Sequence, residues 1–329
     1  MKLSVLDSSP IAAGKSSQDA LIDSATLAQA VEQLGYTRFW LTEHHDLNGL
    51  ASSTPEVLLA WIGGKTSCIR LGTGAILLPH YKPFKVAEIH HTLATLFPDR
   101  IDIGLGRAPG GSAEVTNALN DNFLQAVYNM PDLVQELLAY IDQTVTHIHA
   151  SPVPNTPPST WLLGTSKKSA ELAAKLGISY AFGQWMSDTD GTEAITLYHD
   201  QFIPRTRGSQ ANSMMTIAAL CAETNEKAML LAKSLFLWQQ QVNHGHGNDG
   251  IPSIQVASQY RFKSDEQTKF EEYVQKMIVG EPAVVAKKIA ELPTEEVMIH
   301  TPAHDVNDRI HSYKLIADAM NDLSLGRLN

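Results

Sequence analysis

Short apolar runs alternate with amphipathic stretches along this chain, and that alternation restricts its fold more than any other feature. The run LSVLD (3–7) reads as a buried strand; Leu21, Ala25, Ala28, Val31 and Leu34 then recur at helical spacing, with Gly35 where a C-terminal cap belongs. Further apolar runs follow at 39–41, 69–78, 101–106, 161–164, 178–182, 214–222 and 295–300. Helices are expected from Pro55, through Val86–Leu96, and over about 131–145, 166–177, 190–203 and 224–240. Repeated βα units imply parallel strands joined by right-handed crossovers. Eight of them predict an α/β fold, a (β/α)8 TIM barrel with insertions, as one domain over residues 1–329. Two open α/β halves meeting at the Pro-rich linker 149–160 are the alternative. The Gly-containing stretch 240–256 interrupts the pattern before the last strand and reads as a mobile lid loop.

Composition narrows the function classes. An apolar content of 43% against 18% charged residues is enough for a substantial core. The formal charge of -10 argues against a nucleic-acid partner and against binding to anionic lipid. Cys68 and Cys221 are the only cysteines, so neither a disulfide framework nor a cysteine-rich zinc site is available. The N-terminal apolar stretch, broken by Asp7, is too short for a signal peptide, and no run is long enough to span a bilayer. A cytoplasmic enzyme is expected.

Two phosphate signatures fail: Gly14-Lys15-Ser16 lacks the first glycine of a P-loop, and Gly104-Leu105-Gly106 meets Pro109 where a dinucleotide fingerprint needs its third glycine. Function in a barrel collects at the C-terminal ends of the strands. Thr42-Glu43-His44-His45, Arg107 and Gly164-Thr165-Ser166-Lys167-Lys168-Ser169 all occupy such positions. The last opens a helix whose free N–H groups and dipole suit a phosphate, although taken alone an ordinary N-cap at Thr165 or Ser166 is the favoured explanation. Arg107 supplies a charge-assisted partner for that phosphate, or else a structural ion pair. Adjacent His44 and His45 point to opposite faces of extended chain, so one can line a pocket while the other packs. An imidazole titrates near neutral pH and can move a proton there. His147/His149 and His244/His246 have no third ligand at a recognisable spacing, and no metal site is expected. His90 and His91, on a helix, read as surface or packing residues. Glycines flanking Thr73 inside a strand suggest a close ligand approach or tight packing.

GYTRFWLTEHH, STPEVLLAWIGGKTSCIRLGTGAILLPHYKPFKVAE, PDRIDIGLGRAPGG and WLLGTSKKSAELAAKLG, in that order, resemble the bacterial luciferase-like flavin monooxygenases. The resemblance runs to about residue 185 and is weaker beyond. It implies a (β/α)8 barrel that takes reduced FMN as cosubstrate, with the deazaflavin F420 used in one branch. Gly74 and Ala75 would form the cis-peptide bulge behind the flavin ring. Arg107, Gly164, Thr165, Ser166 and Ser169 would hold the phosphate, and His44 would be the catalytic histidine beside the ring. The luciferases carry a glutamate at the position of Thr165, so a luminescent aldehyde reaction is not implied. Without an NAD(P)H fingerprint, reducing equivalents are expected from a separate NAD(P)H flavin reductase, and a homodimer from the family's habit. The expected reaction oxygenates a small, mostly apolar organic molecule. The alternatives are an F420-dependent oxidoreductase on the same barrel and a non-catalytic flavin-binding protein.

Overall fold

A computed structural model describes residues 1–245, 247–263 and 265–327. All eight expected strands are present: β1 (Lys2–Asp7), β2 (Arg38–Leu41), β3 (Arg70–Leu77), β4 (Ile101–Gly106), β5 (Ser159–Gly164), β6 (Ser179–Gly183), β7 (Ser213–Cys221) and, after a short extra strand β8 (Ile278–Gly280), β9 (Glu296–His300). Helices separate them, and the order and direction of the strands are those of a (β/α)8 barrel.

The chain forms two compact units. One comprises Arg38–Leu47 and Ser52–Met214 and carries β2 to β6, each parallel to the next. Because β4 pairs with β5 from Asp102↔Ser159 to Leu105↔Leu162, the Pro-rich linker between them is a connection inside this sheet and not a boundary. Every residue of β4 is buried, which is why parallel strands read as unbroken apolar runs. At the N-terminal ends of the strands, the buried Asp102 receives Arg38 at 2.8 Å, Arg70 at 2.6 Å and Trp40 Nε1 at 3.0 Å. That cluster closes the end of the sheet away from the expected site, where barrel residues serve stability.

The other unit comprises Met1–Thr37, Asn48–Ala51 and the chain from Met215 onward. There β9 pairs in parallel with both β1 and β7, and β8 adds to β7. The Ser17–Gln33 helix begins at a capping box between Ser16 and Asp19, and Gly35 follows it at φ +81°. The stretch 240–256 is built differently from the expected lid loop. It holds the end of the Asn225–Asn243 helix, a 3₁₀ turn, Ile251 bridged to Ala12 and the start of the Ile254–Gln259 helix. Ile251 is fully buried and Ser234 hydrogen-bonds to the Pro252 carbonyl, so much of this segment is packed. His246 lies outside the described residues.

Candidate active site

Parallel pairing from β2 to β6 sets the C-terminal ends of five strands side by side, and every residue expected at the site lies near the end of one of them or just after it. Thr42–His45 leaves β2, Gly74–Ala75 lies near the end of β3, Arg107 follows β4, Gly164 ends β5 and Thr165–Ser169 follow it. The register breaks between Gly74 and Ile76 opposite β4, leaving Ala75 as the extra residue of a bulge. The Gly74–Ala75 peptide is cis, as the resemblance implied. Glycine is required around it: a Cβ on Gly104 would stand 2.1 Å from the Thr73 carbonyl oxygen, and one on Gly106 would stand 2.8 Å from the Ala75 Cβ. Close packing between strands accounts for these glycines without any ligand.

His44 is held by its backbone and its ring together. Its N–H donates to the Ser52 carbonyl at 2.9 Å, and its Nδ1 shares a 2.9 Å hydrogen bond with the Thr42 hydroxyl. Burial, with a smaller contribution from His45, pushes its pKa down to about 4. This corrects the expectation of a near-neutral titration: His44 is a neutral imidazole at physiological pH, able to accept a proton but holding one only weakly. His45 points elsewhere, into a cluster around the Glu43 carboxylate. Its Nε2 lies 2.7 Å from Glu43 Oε1, which also accepts the Tyr81 hydroxyl at 2.6 Å. The opposite faces expected of the two histidines are realised.

Where a phosphate is expected, Arg107 is exposed and makes no ion pair among the described residues. The structural ion pair considered for it is absent there. Ser166 is the N-cap of the Lys167–Leu176 helix, in a capping box with Ser169. The plainer reading of this motif is therefore realised. It does not use up the helix start, since the N–H groups of the first turn at Lys167 and Lys168 have no acceptor within the helix. Ser169 Oγ packs where a Cβ on Gly164 would fall, 2.2 Å away, and also meets the Tyr180 hydroxyl at 3.1 Å. Ser169 thus supports the cap. An exposed guanidinium after one strand and a helix start after the neighbouring one are donors of the kinds a phosphate dianion takes.

Glu43, Tyr81 and Glu56 carry no sign of a role in the sequence pattern, yet they gather beside His45. Glu56, in the first turn of the Pro55–Gly63 helix, has one buried oxygen with no partner among the described residues. Burial, then the nearby Glu43, raises its pKa. His90 and His91 are buried packing residues, their Nδ1–H groups donating to the Val86 and Ala150 carbonyls. No cluster of metal-binding side chains occurs among the described residues. A cleft of about 500 Å³ lies by Lys2, Tyr36 and Met320, at the N-terminal end of β1, which is the wrong end of a barrel strand for chemistry.

A family model described as luciferase-like monooxygenase matches residues 1–300. A luciferase-like monooxygenase of Escherichia coli (strain K12) is 33% identical over 326 residues, covering 97% of each chain. The N-acetyl-S-alkylcysteine monooxygenase of Bacillus subtilis (strain 168) is 33% identical over 337 residues, covering 97% of this chain and 98% of that one. Among solved structures, apo-MsnO8 is 32% identical and superposes with a TM-score of 0.89 over 97% of this chain and 98% of its own. The fold alone extends to the FMN complex of the oxygenating constituent of 3,6-diketocamphane monooxygenase from Pseudomonas putida (18% identity, TM-score 0.71, 97% of each chain). It extends equally to an F420-dependent secondary alcohol dehydrogenase (15% identity, TM-score 0.67, 97% and 98% of the two chains).

Proposed function

Because the chain belongs to the luciferase-like monooxygenase family, we propose that it is the oxygenating half of a two-component system, using reduced FMN and O2 to oxygenate a small, mostly apolar organic molecule. One observation carries the reading: His44, the Gly74–Ala75 bulge, Arg107 and the Ser166 helix start share the C-terminal edge of one parallel sheet.

Arg107 and the first-turn N–H groups of the Lys167–Leu176 helix would hold the flavin phosphate, with the Thr165 and Ser166 hydroxyls beside them. The side-chain-poor backbone at Gly74–Ala75 would back the ring. Bound reduced FMN supplies the two electrons that O2 needs in order to place one oxygen atom in product and the other in water. His44, neutral at Nε2 and steadied at Nδ1 by Thr42, would accept or return a proton at the reacting edge. Apolar surroundings would keep bulk water from that edge. The chain carries no dinucleotide fingerprint, so a separate NAD(P)H flavin reductase would deliver the reduced FMN. A homodimer is proposed with it, and sedimentation should then give twice the 36.0 kDa chain mass.

Fluorescence titration with FMN, riboflavin and F420 tests the cofactor; tight binding of FMN over the other two is expected. Preference for F420 would transfer the reading to a deazaflavin oxidoreductase. Substrate pools incubated with the protein, reduced FMN and O2 should then yield a product heavier by one oxygen atom. Binding of FMN with no product from any pool, and only hydrogen peroxide, would favour a flavin-binding protein.

A further inference from the structure

Glu43 lies one residue from His44, and its side chain is fully buried. Strand β2 ends at Leu41, level with Thr73 of β3. β3 runs on through the Gly74–Ala75 bulge to Leu77, past the last residue of β2 that could accept its N–H groups. A buried N–H without an acceptor is costly, and Glu43 provides one: Leu77 N–H donates to Oε2 at 2.8 Å. The other oxygen, Oε1, takes Tyr81, which follows the 3₁₀ turn Leu78–His80, at 2.6 Å and His45 at 2.7 Å. Leu77 is where β3, having passed the bulge, stands level with Gly106 of β4. One carboxylate therefore spans the loop bearing His44 and the strand end just beyond the bulge.

We propose that Glu43 is a positioning residue that fixes the His44 loop and the Gly74–Ala75 bulge in one shared geometry. The inference rests on the flavin reading of this site. Other contacts along the loop keep it from collapsing into general structure. His44 N–H is tied to Ser52 and His45 N–H to the Gly110 carbonyl, so the loop stays attached to the fold without Glu43. What Glu43 adds is a hydrogen bond to the end of β3, beyond the bulge. Its removal should re-aim the loop and the bulge relative to each other and leave the phosphate end untouched, because Arg107 and Ser166 follow other strands. Glutamine should replace it in large part. Its amide oxygen can accept Leu77 N–H, while its NH2 can donate to the Tyr81 oxygen and to a ring nitrogen of His45.

Glu43→Ala, Glu43→Gln and Tyr81→Phe test this through the His44 ring titration by NMR and the visible circular dichroism of bound FMN. In Glu43→Ala the proton affinity of His44 should rise by roughly tenfold or more as its burial loosens. The FMN band should change shape, while the preference for FMN over riboflavin stays within about threefold of wild type. Glu43→Gln should recover most of the wild-type titration and band shape. An unchanged titration and band in Glu43→Ala would overturn the proposal, as would an equal loss in Glu43→Gln. If Glu43→Ala does not fold, Tyr81→Phe decides, with a shift in the same direction expected and no shift counting against. Failure of the wild type to bind FMN would sink the flavin reading separately, since the His44 titration needs no flavin.

Discussion

A neutral imidazole and a buried carboxylate stand side by side on the loop after β2, and their different surroundings give them different work. His44 is pushed down to about 4 by burial, so it stays neutral above that pH and becomes charged only in acid. Oxygenation should therefore show no limb near 6.5 from this group and should fall as the pH drops through about 4. His44→Ala should keep FMN affinity within a few fold, because the phosphate donors lie on other strands. It should lower coupled oxygenation by roughly 10²-fold and raise peroxide release in proportion. Stopped-flow oxidation of reduced FMN with a peroxide assay measures both, and wild-type coupling in His44→Ala would remove the residue from the chemistry. His45→Ala should act through stability, because its ring is committed to Glu43. The sequence made the His44 position visible, since the polar run Thr42–His45 marks the end of an apolar strand, and the family resemblance singled out His44 within it. It concealed the work of Glu43, whose partners Leu77 and Tyr81 are more than thirty positions away and meet it only after β2 and β3 pair.

Elements decide how the phosphate end can be probed. Ser166 caps its helix, so Ser166→Ala removes a cap worth about 1 kcal/mol as well as a candidate phosphate donor, and mixes the two effects. Ser166→Asp separates them, because aspartate caps as well as serine but brings a negative charge to the helix start. Thermal stability without ligand should hold, riboflavin binding should change little, and FMN binding should fall by roughly tenfold or more through charge repulsion. Arg107→Ala should weaken FMN in the same selective way; equal losses for riboflavin and FMN in either variant would mean that these residues support the barrel only. The same helix shows why elements were legible. Ser166 at its start and Gly177 in the left-handed conformation at its end are local signals, readable without tertiary context. β8 is only three residues long and pairs with β7 alone, so it has too few side chains for a periodic pattern. The stretch 240–256 looked like a loop because glycines break its periodicity. Its order comes from the bridge between Ile251 and Ala12, far apart in sequence.

For the whole molecule, the eight alternating units were enough to specify the barrel, but the stability of that barrel depends on groups that the pattern treats as neutral. His90 sits on the helix Pro83–Leu96 with no exposed surface, its Nδ1–H donating to Val86 and its Nε2 without a partner among the described residues. Helical spacing gave no sign of this, because a histidine fits either face of a helix. Burial, only partly offset by the Val86 hydrogen bond, holds its pKa at about 4 in the fold, and the ordinary imidazole value of 6.5 returns once the chain unfolds. The unfolded chain thus binds the proton at a higher pH than the folded one does. Stability is full above pH 6.5 and is lost progressively as the pH falls towards 4, and His44 acts in the same direction. The His90 shift alone corresponds to roughly 3 kcal/mol across that window. Thermal melting of the wild-type protein between pH 7.5 and about 4.5 should therefore show a steady fall in Tm on the acid side. His90→Leu fills a similar volume with no ionisable group, so its Tm should fall less steeply over the same range. Melting curves of equal slope for the two proteins would mean that the buried imidazole is not what makes this barrel sensitive to acid.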